Sequence, residues 1–111
     1  ELPYRVLEMC TGDVGFATHR KWDIEVWLPS TQDYMEVMSN SDLCDYQARR
    51  MNIRYKPELK SKSKYVHTIS ATAITNTRPL LAILENFQQA DGSVLIPKAL
   101  QKFMGKERIS I

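Results

Sequence analysis

Arg78 stands immediately before Pro79 and the apolar residues Leu80, Leu81, Ile83, Leu84 and Phe87, where a buried helix should begin. A helix start presents unpaired backbone N–H groups and the positive end of the peptide dipoles. Both favour an anion, and a guanidinium added there makes a phosphate site. From position alone, an ion pair between Arg78 and a nearby carboxylate is supported equally well. Glu36 and Ser39 lie three apart where a strand should end. A carboxylate and a hydroxyl are hard oxygen donors that suit a hydrated magnesium ion. Thr72 sits among small residues, Ser70, Ala71 and Ala73. Its hydroxyl can bond a small polar ligand for which they leave room, although filling a sheet is the plainer role. Arg49 and Arg50 can bind phosphate, but pairing with Asp45 is the expected arrangement. Asp23 and Glu25 share one strand face and are expected on an exposed side of a sheet rather than as paired acids.

The elements that must position these groups follow from the apolar pattern. Pro3–Met9 favours a strand, and Thr11, Gly12 and Asp13 a turn. Trp22–Leu28 alternates strictly, with Trp22, Ile24, Val26 and Leu28 on one face. Pro29, Ser30 and Thr31 break it, and Asp33–Met38 can return as an antiparallel partner. Ser41 or Asp42 then caps a short helix through Leu43, Tyr46, Gln47 and Arg50. Asn52–Tyr55 resumes a strand, Pro57–Lys64 forms a long basic loop, and Tyr65–Ile74 reads as one further strand. Thr75, Asn76 and Thr77 cap the strongest helix, whose apolar face is Leu80, Leu81, Ile83, Leu84 and Phe87, and Asp91 and Gly92 stop it. Val94–Pro97 is extended, and Lys98–Met104 makes a terminal helix closed by Gly105. Strands outnumber helices, which predicts an α+β plan: an antiparallel sheet backed by helices.

With 111 residues and 43% hydrophobic content the chain is one domain, or a piece of one, with a modest core. The net charge is only +2, but cations gather at Arg49, Arg50, Arg54 and Lys56 and again at Lys60, Lys62 and Lys64. No aromatic residue interleaves with these lysines, so a solvated loop is expected ahead of a direct RNA contact. Cys10 and Cys44 are too few for a disulfide framework and read as reduced core thiols. No apolar run approaches the length of a membrane span, and no signal-peptide pattern opens the chain, so no membrane partner is expected. Glycine-rich phosphate loops, nucleophile elbows and paired zinc motifs are absent from the sequence.

Several blocks, in order, resemble the C-terminal half of the catalytic domain of seryl-tRNA synthetase, a class II aminoacyl-tRNA synthetase. They are Leu2-Pro3-Tyr4-Arg5-Val6, Cys10-Thr11-Gly12-Asp13, Asp23 to Pro29, Asp45-Tyr46-Gln47-Ala48-Arg49-Arg50, His67-Thr68 and Ala82 to Ser93. The resemblance implies that serine attacks the α-phosphate of ATP to give seryl-adenylate, from which the seryl group passes to serine tRNA. By similarity Glu36, Val37, Met38 and Ser39 contact ATP, with magnesium on Glu36 and Ser39. Arg78 is the catalytic third-motif arginine at the triphosphate, Thr72 binds the serine hydroxyl, and Ser70 shapes the serine pocket.

The resemblance also implies that residues 1–111 are the later part of the catalytic domain. The first two family motifs and the tRNA-binding arm would lie outside this chain, and the complete protein would be a homodimer. The Ser70-Ala71-Thr72-Ala73 stretch looks closer to mitochondrial members, which implies the mitochondrial matrix rather than the cytoplasm. Met38, Asp42, Ser70 and Pro79 depart from the usual residues. The first three motivate an alternative, a catalytically inactive paralogue that acts as a binding or regulatory subunit.

Overall fold

The computed structural model describes residues 1–110. Its elements in chain order are β1 (Tyr4–Glu8), a 3-10 turn (Thr11–Asp13), β2 (Arg20–Leu28), β3 (Asp33–Asp42), α1 (Tyr46–Met51), β4 (Arg54–Tyr55), β5 (Lys64–Tyr65), β6 (Ile69–Ala71), α2 (Thr77–Phe87), β7 (Val94–Leu95), α3 (Lys98–Met104) and β8 (Arg108–Ile109). The main sheet runs in the order β1-β2-β3-β6, and β4-β5 and β7-β8 form two small ladders. The expected α+β plan of an antiparallel sheet with helices is observed. Two compact units arise, each considered by itself: one of residues 1–5, 24–37 and 74 onward, the other of residues 6–23 and 38–73.

In the first unit the alternation of β2 works as predicted at Val26 and Leu28, which are buried with Ala82 of α2 against Leu2, Met35 and Val37. The helix face laid on the strand differs from the expected one. Ala82 has no exposed surface, and Asn86, one turn later, donates from Nδ2 to the carbonyl of Trp27 at 2.9 Å. Glu85 accepts the backbone N–H of Ser30 at 3.1 Å. Leu80, Leu81 and Leu84 remain exposed. The reason is close approach: a methyl side chain lets the helix backbone come down onto the sheet, which a row of leucines would hold away. Leu80 and Leu84 turn instead to Leu100 and Met104 of α3 and Ile109 of β8, around a cavity of about 110 Å³. α3 and its left-handed Gly105 cap fall where the sequence places them.

In the second unit, β3 continues beyond Met38 to Asp42, because β6 supplies partners in the register Asn40↔Ala71, Ser41↔Ser70 and Asp42↔Ile69. Ser41 and Asp42 are therefore strand residues and not helix caps. The Asp42 carboxylate accepts the Cys44 N–H at 2.9 Å, and α1 begins only at Tyr46. The single strand expected over Tyr65–Ile74 is divided. β5 pairs with β4, β6 pairs with β3, and Thr68 bridges the change by accepting Leu43 N–H at 3.0 Å and donating to the Cys44 carbonyl at 2.9 Å. Asn52 is the left-handed C-cap of α1 rather than a strand residue.

Asp23 corrects another expectation. It is buried, with Lys21 Nζ at 3.1 Å, while Glu25, in the first unit, is held by Arg5 at 2.6 Å. At its Asp23 end, β2 thus buries a carboxylate, although Arg20 stays exposed. Cys10 is exposed beside the 3-10 turn and so is not a core thiol.

Candidate nucleotide and amino-acid sites

Arg78 is the second residue of α2, and its Nη1 donates to the Glu36 carbonyl at 2.8 Å and to the Glu36 carboxylate at 3.5 Å. The ion-pair reading of Arg78 from the sequence is thus the one realised, with Glu36 at a helix start. The groups touch directly, and each side chain is about half exposed. An exposed pair of this kind is worth at most about 1 kcal/mol, whereas a hydrogen bond to a charged group contributes about 1.5–3 kcal/mol. Opening the pair to an incoming anion therefore costs little. Nε and Nη2 make no hydrogen bond among the described residues, so a forked pair of donors remains for two phosphate oxygens. Asn76 precedes the helix without a side-chain cap, which leaves the first-turn N–H groups unclaimed by it. The helix is not buried at this end, contrary to expectation: Thr77 and Arg78 are exposed. Val37, beside Glu36, packs against the core cluster and fixes the strand from below.

Met38 and Ser39 belong to the second unit and lie within β3. Ser39 and Thr72 are brought together through the backbone, the Thr72 N–H donating to the Ser39 carbonyl at 3.3 Å. Thr72 lies one residue past β6 and is exposed, so its hydroxyl does not fill the sheet. Ser70 stands opposite Ser41 and is also exposed. Asp42, one of the departures from the family pattern, spends one carboxylate oxygen on the turn to Cys44. Burial first, then the charges of Asp42 and Asp45, push the Cys44 thiol above its ordinary value.

Asn40 and Thr68 carry buried side-chain oxygens without a protein partner, as does Asp23. Sequence reading passed over Asn40 and Thr68, since polar residues in and beside strands read as solvent-facing.

As expected from the sequence, Arg49 pairs with Asp45, at 2.7 Å. That hydrogen bond is the main reason the Asp45 carboxyl is held below its ordinary value and the Arg49 guanidinium above its own. Among the described residues, no three His, Cys, Asp or Glu side chains gather as a metal cage. A magnesium ion that keeps its waters and substrate phosphates needs only one or two protein oxygens, and the Glu36 carboxylate and Ser39 hydroxyl are of that kind. No helix among the described residues is long and apolar enough to cross a membrane.

Comparison with known proteins gives a consistent picture. Residues 1–87 match the family model described as tRNA synthetase class II core domain (G, H, P, S and T). A serine--tRNA ligase of Citrifermentans bemidjiense is 53% identical over 111 residues, which is 99% of this chain and 26% of that protein. One of Listeria innocua is 55% identical over 105 residues, 95% of this chain and 25% of that protein. The crystal structure of seryl-tRNA synthetase from Pyrococcus horikoshii complexed with ATP superposes with a TM-score of 0.93 at 48% identity, covering 97% of this chain and 24% of that one. Cytoplasmic serine-tRNA ligase from Naegleria fowleri in complex with AMP gives a TM-score of 0.88 at 34% identity, over 99% and 26%. The chain spans about a quarter of the length of the relatives it matches.

Proposed function

Because this chain belongs to the class II tRNA synthetase core family, we propose that the protein carrying it attaches serine to serine tRNA at the expense of ATP, through a seryl-adenylate. The observation that carries the reading is Arg78, a half-exposed guanidinium at a helix start with its Nε and Nη2 donors free among the described residues, in a chain that resembles serine--tRNA ligases along its length. In this reading Arg78 lies along the triphosphate and offsets the charge that builds as pyrophosphate leaves. The strand segment Glu36, Val37, Met38 and Ser39 contacts ATP. Glu36 and Ser39 hold magnesium, which when bound neutralises phosphate charge. The Thr72 hydroxyl meets the hydroxyl of serine, and Ser70 borders its pocket.

The complete protein would act as a homodimer on serine and serine tRNA, with the earlier family motifs and the tRNA-binding arm outside this chain. Placement in the mitochondrial matrix rests on the Ser70-Ala71-Thr72-Ala73 stretch, and organelle fractionation with an antibody to the protein checks it.

Serine-dependent exchange of pyrophosphate into ATP, measured on the complete protein without tRNA, tests the ligase reading. Exchange that exceeds an Arg78→Ala control is expected. Equal rates in the two would overturn it and leave the inactive paralogue.

A further inference from the structure

We infer that the β4–β5 hairpin and α1 form a binding surface for single-stranded RNA, with phosphates on the cations and a base stacked on Tyr55. Residues 49–67 hold seven of the chain's 15 Lys and Arg but one of its 13 Asp and Glu, so this stretch carries six excess positive charges while the remainder is net negative. Arg49 is paired with Asp45; Arg50, Arg54, Lys56, Lys60, Lys62 and Lys64 have no ion pair among the described residues. A solvated loop would have cations of this kind on mobile stems. Here the guanidiniums are parked on rings. Arg49 and Arg54 lie 4.8 and 4.2 Å from the centre of the Tyr65 ring, and Arg50 lies 3.9 Å from that of Tyr46. Arg54 also donates to the Asn52 side chain at 2.9 Å and to the Tyr65 hydroxyl. Stacking uses the faces of the guanidinium: among the described residues Arg50 keeps all its N–H edges for phosphate oxygens, while Arg49 and Arg54, each with Nη2 engaged, keep Nη1, and groups ordered beforehand lose less freedom on binding.

Beside these stacks an open groove of about 820 Å³ is lined by Arg49, Tyr55, Lys64, Tyr65 and His67, with the Asp45 carboxylate engaged by Arg49. Tyr55 is 47% exposed and has no ring or cation partner among the described residues. A free ring beside a row of cations fits a chain of alternating phosphates and bases, because every base has a face to stack. An acidic peptide would use the charges and leave the ring idle. The lysines themselves are not interleaved with aromatic residues along the chain. Folding back the hairpin puts Tyr55 opposite Lys64 and Arg54 opposite Tyr65.

The inference stands on charge and stacking and does not rest on the ligase reading. Its test is the anisotropy of a labelled oligouridine titrated with the complete protein over a series of salt concentrations. The variant R54Q/K56Q/K60Q/K62Q should bind more weakly and lose about 0.7 from the slope of log K against log salt for each phosphate contact removed. Tyr55→Ala should lose on the order of tenfold in affinity with the slope unchanged. Both variants carry surface changes, and thermal midpoints equal to the parent's establish that they fold. An unchanged slope in the first variant, an unchanged affinity in the second, or displacement of the RNA by an equal charge of polyglutamate would overturn it. Pyrophosphate exchange requires no RNA, so either reading can fail alone.

Discussion

The two ion pairs Arg78–Glu36 and Lys21–Asp23 join the same kinds of groups in opposite surroundings. The first is half exposed, spans 3.5 Å, and shares its guanidinium with a backbone carbonyl. The second is closer, at 3.1 Å, and its carboxylate is buried. Water screens the first, so opening it costs little and a phosphate can take the place of Glu36. Asp23 has left water, and removing its cation would strand a charge in the second unit. Exposure therefore separates the two: the weak pair can open to an anion, and the strong one holds β2 in place.

Substitution can break this contrast at either end. The largest effect is expected from Arg78→Ala, which should reduce serine-dependent pyrophosphate exchange on the order of 10³-fold, as for other arginines that meet transferring phosphates, while the urea midpoint hardly moves. Lys21→Met should do the reverse. It leaves the Asp23 carboxylate uncompensated and costs about 3 kcal/mol of stability, read from urea unfolding. A Lys21→Met protein as stable as the parent would remove the distinction between the pairs.

Asn86→Ala sharpens the comparison in the first unit, where α2 must hold Arg78 over β3. The substitution withdraws the donor to the Trp27 and Ala82 carbonyls and should cost about 1–2 kcal/mol, with exchange falling only as far as the folded fraction does. The smallest effect concerns acid. Asp45 is held below its ordinary value chiefly by Arg49, and Asp91 chiefly by the Ser93 hydroxyl. Each folded carboxyl binds a proton less readily than its unfolded form. The stability it adds is complete above the unfolded value near pH ~4 and disappears as pH falls through the lower folded value. Asp91→Asn should flatten the decline of melting temperature below pH ~4 relative to the parent, as followed by circular dichroism.

Much of the architecture is legible because its causes are local. The inward face at Val26 and Leu28, the breaker at Pro29, the helix over Lys98–Met104 and the Gly105 cap depend on neighbours in the chain, and each appears in the structure. The acid and arginine at 36 and 78 are also legible as candidates, because residue type and a helix start suffice to suggest an anion site. Their meeting across a separation of 42 positions is not, since nothing local states which strand α2 will cover.

The remaining differences share that origin. Strand β3 extends over Ser39 to Asp42 because β6 supplies hydrogen-bond partners from thirty residues away, against a local preference for capping. Ala82 and Asn86, rather than the leucine row, face the sheet because close approach and a carbonyl in need of a donor decided the helix rotation. Tyr65 gathers Arg49 and Arg54, which the sequence separates by five positions, while Lys60, Lys62 and Lys64 stay exposed as a basic loop should. The sequence by itself determined the inward face at Val26 and Leu28, the terminal helix with its Gly105 cap, the excess of cations in one stretch and the residue types at the candidate site. Only the tertiary structure decided which groups are screened by water and which are not, and burial is a property of distant segments brought together.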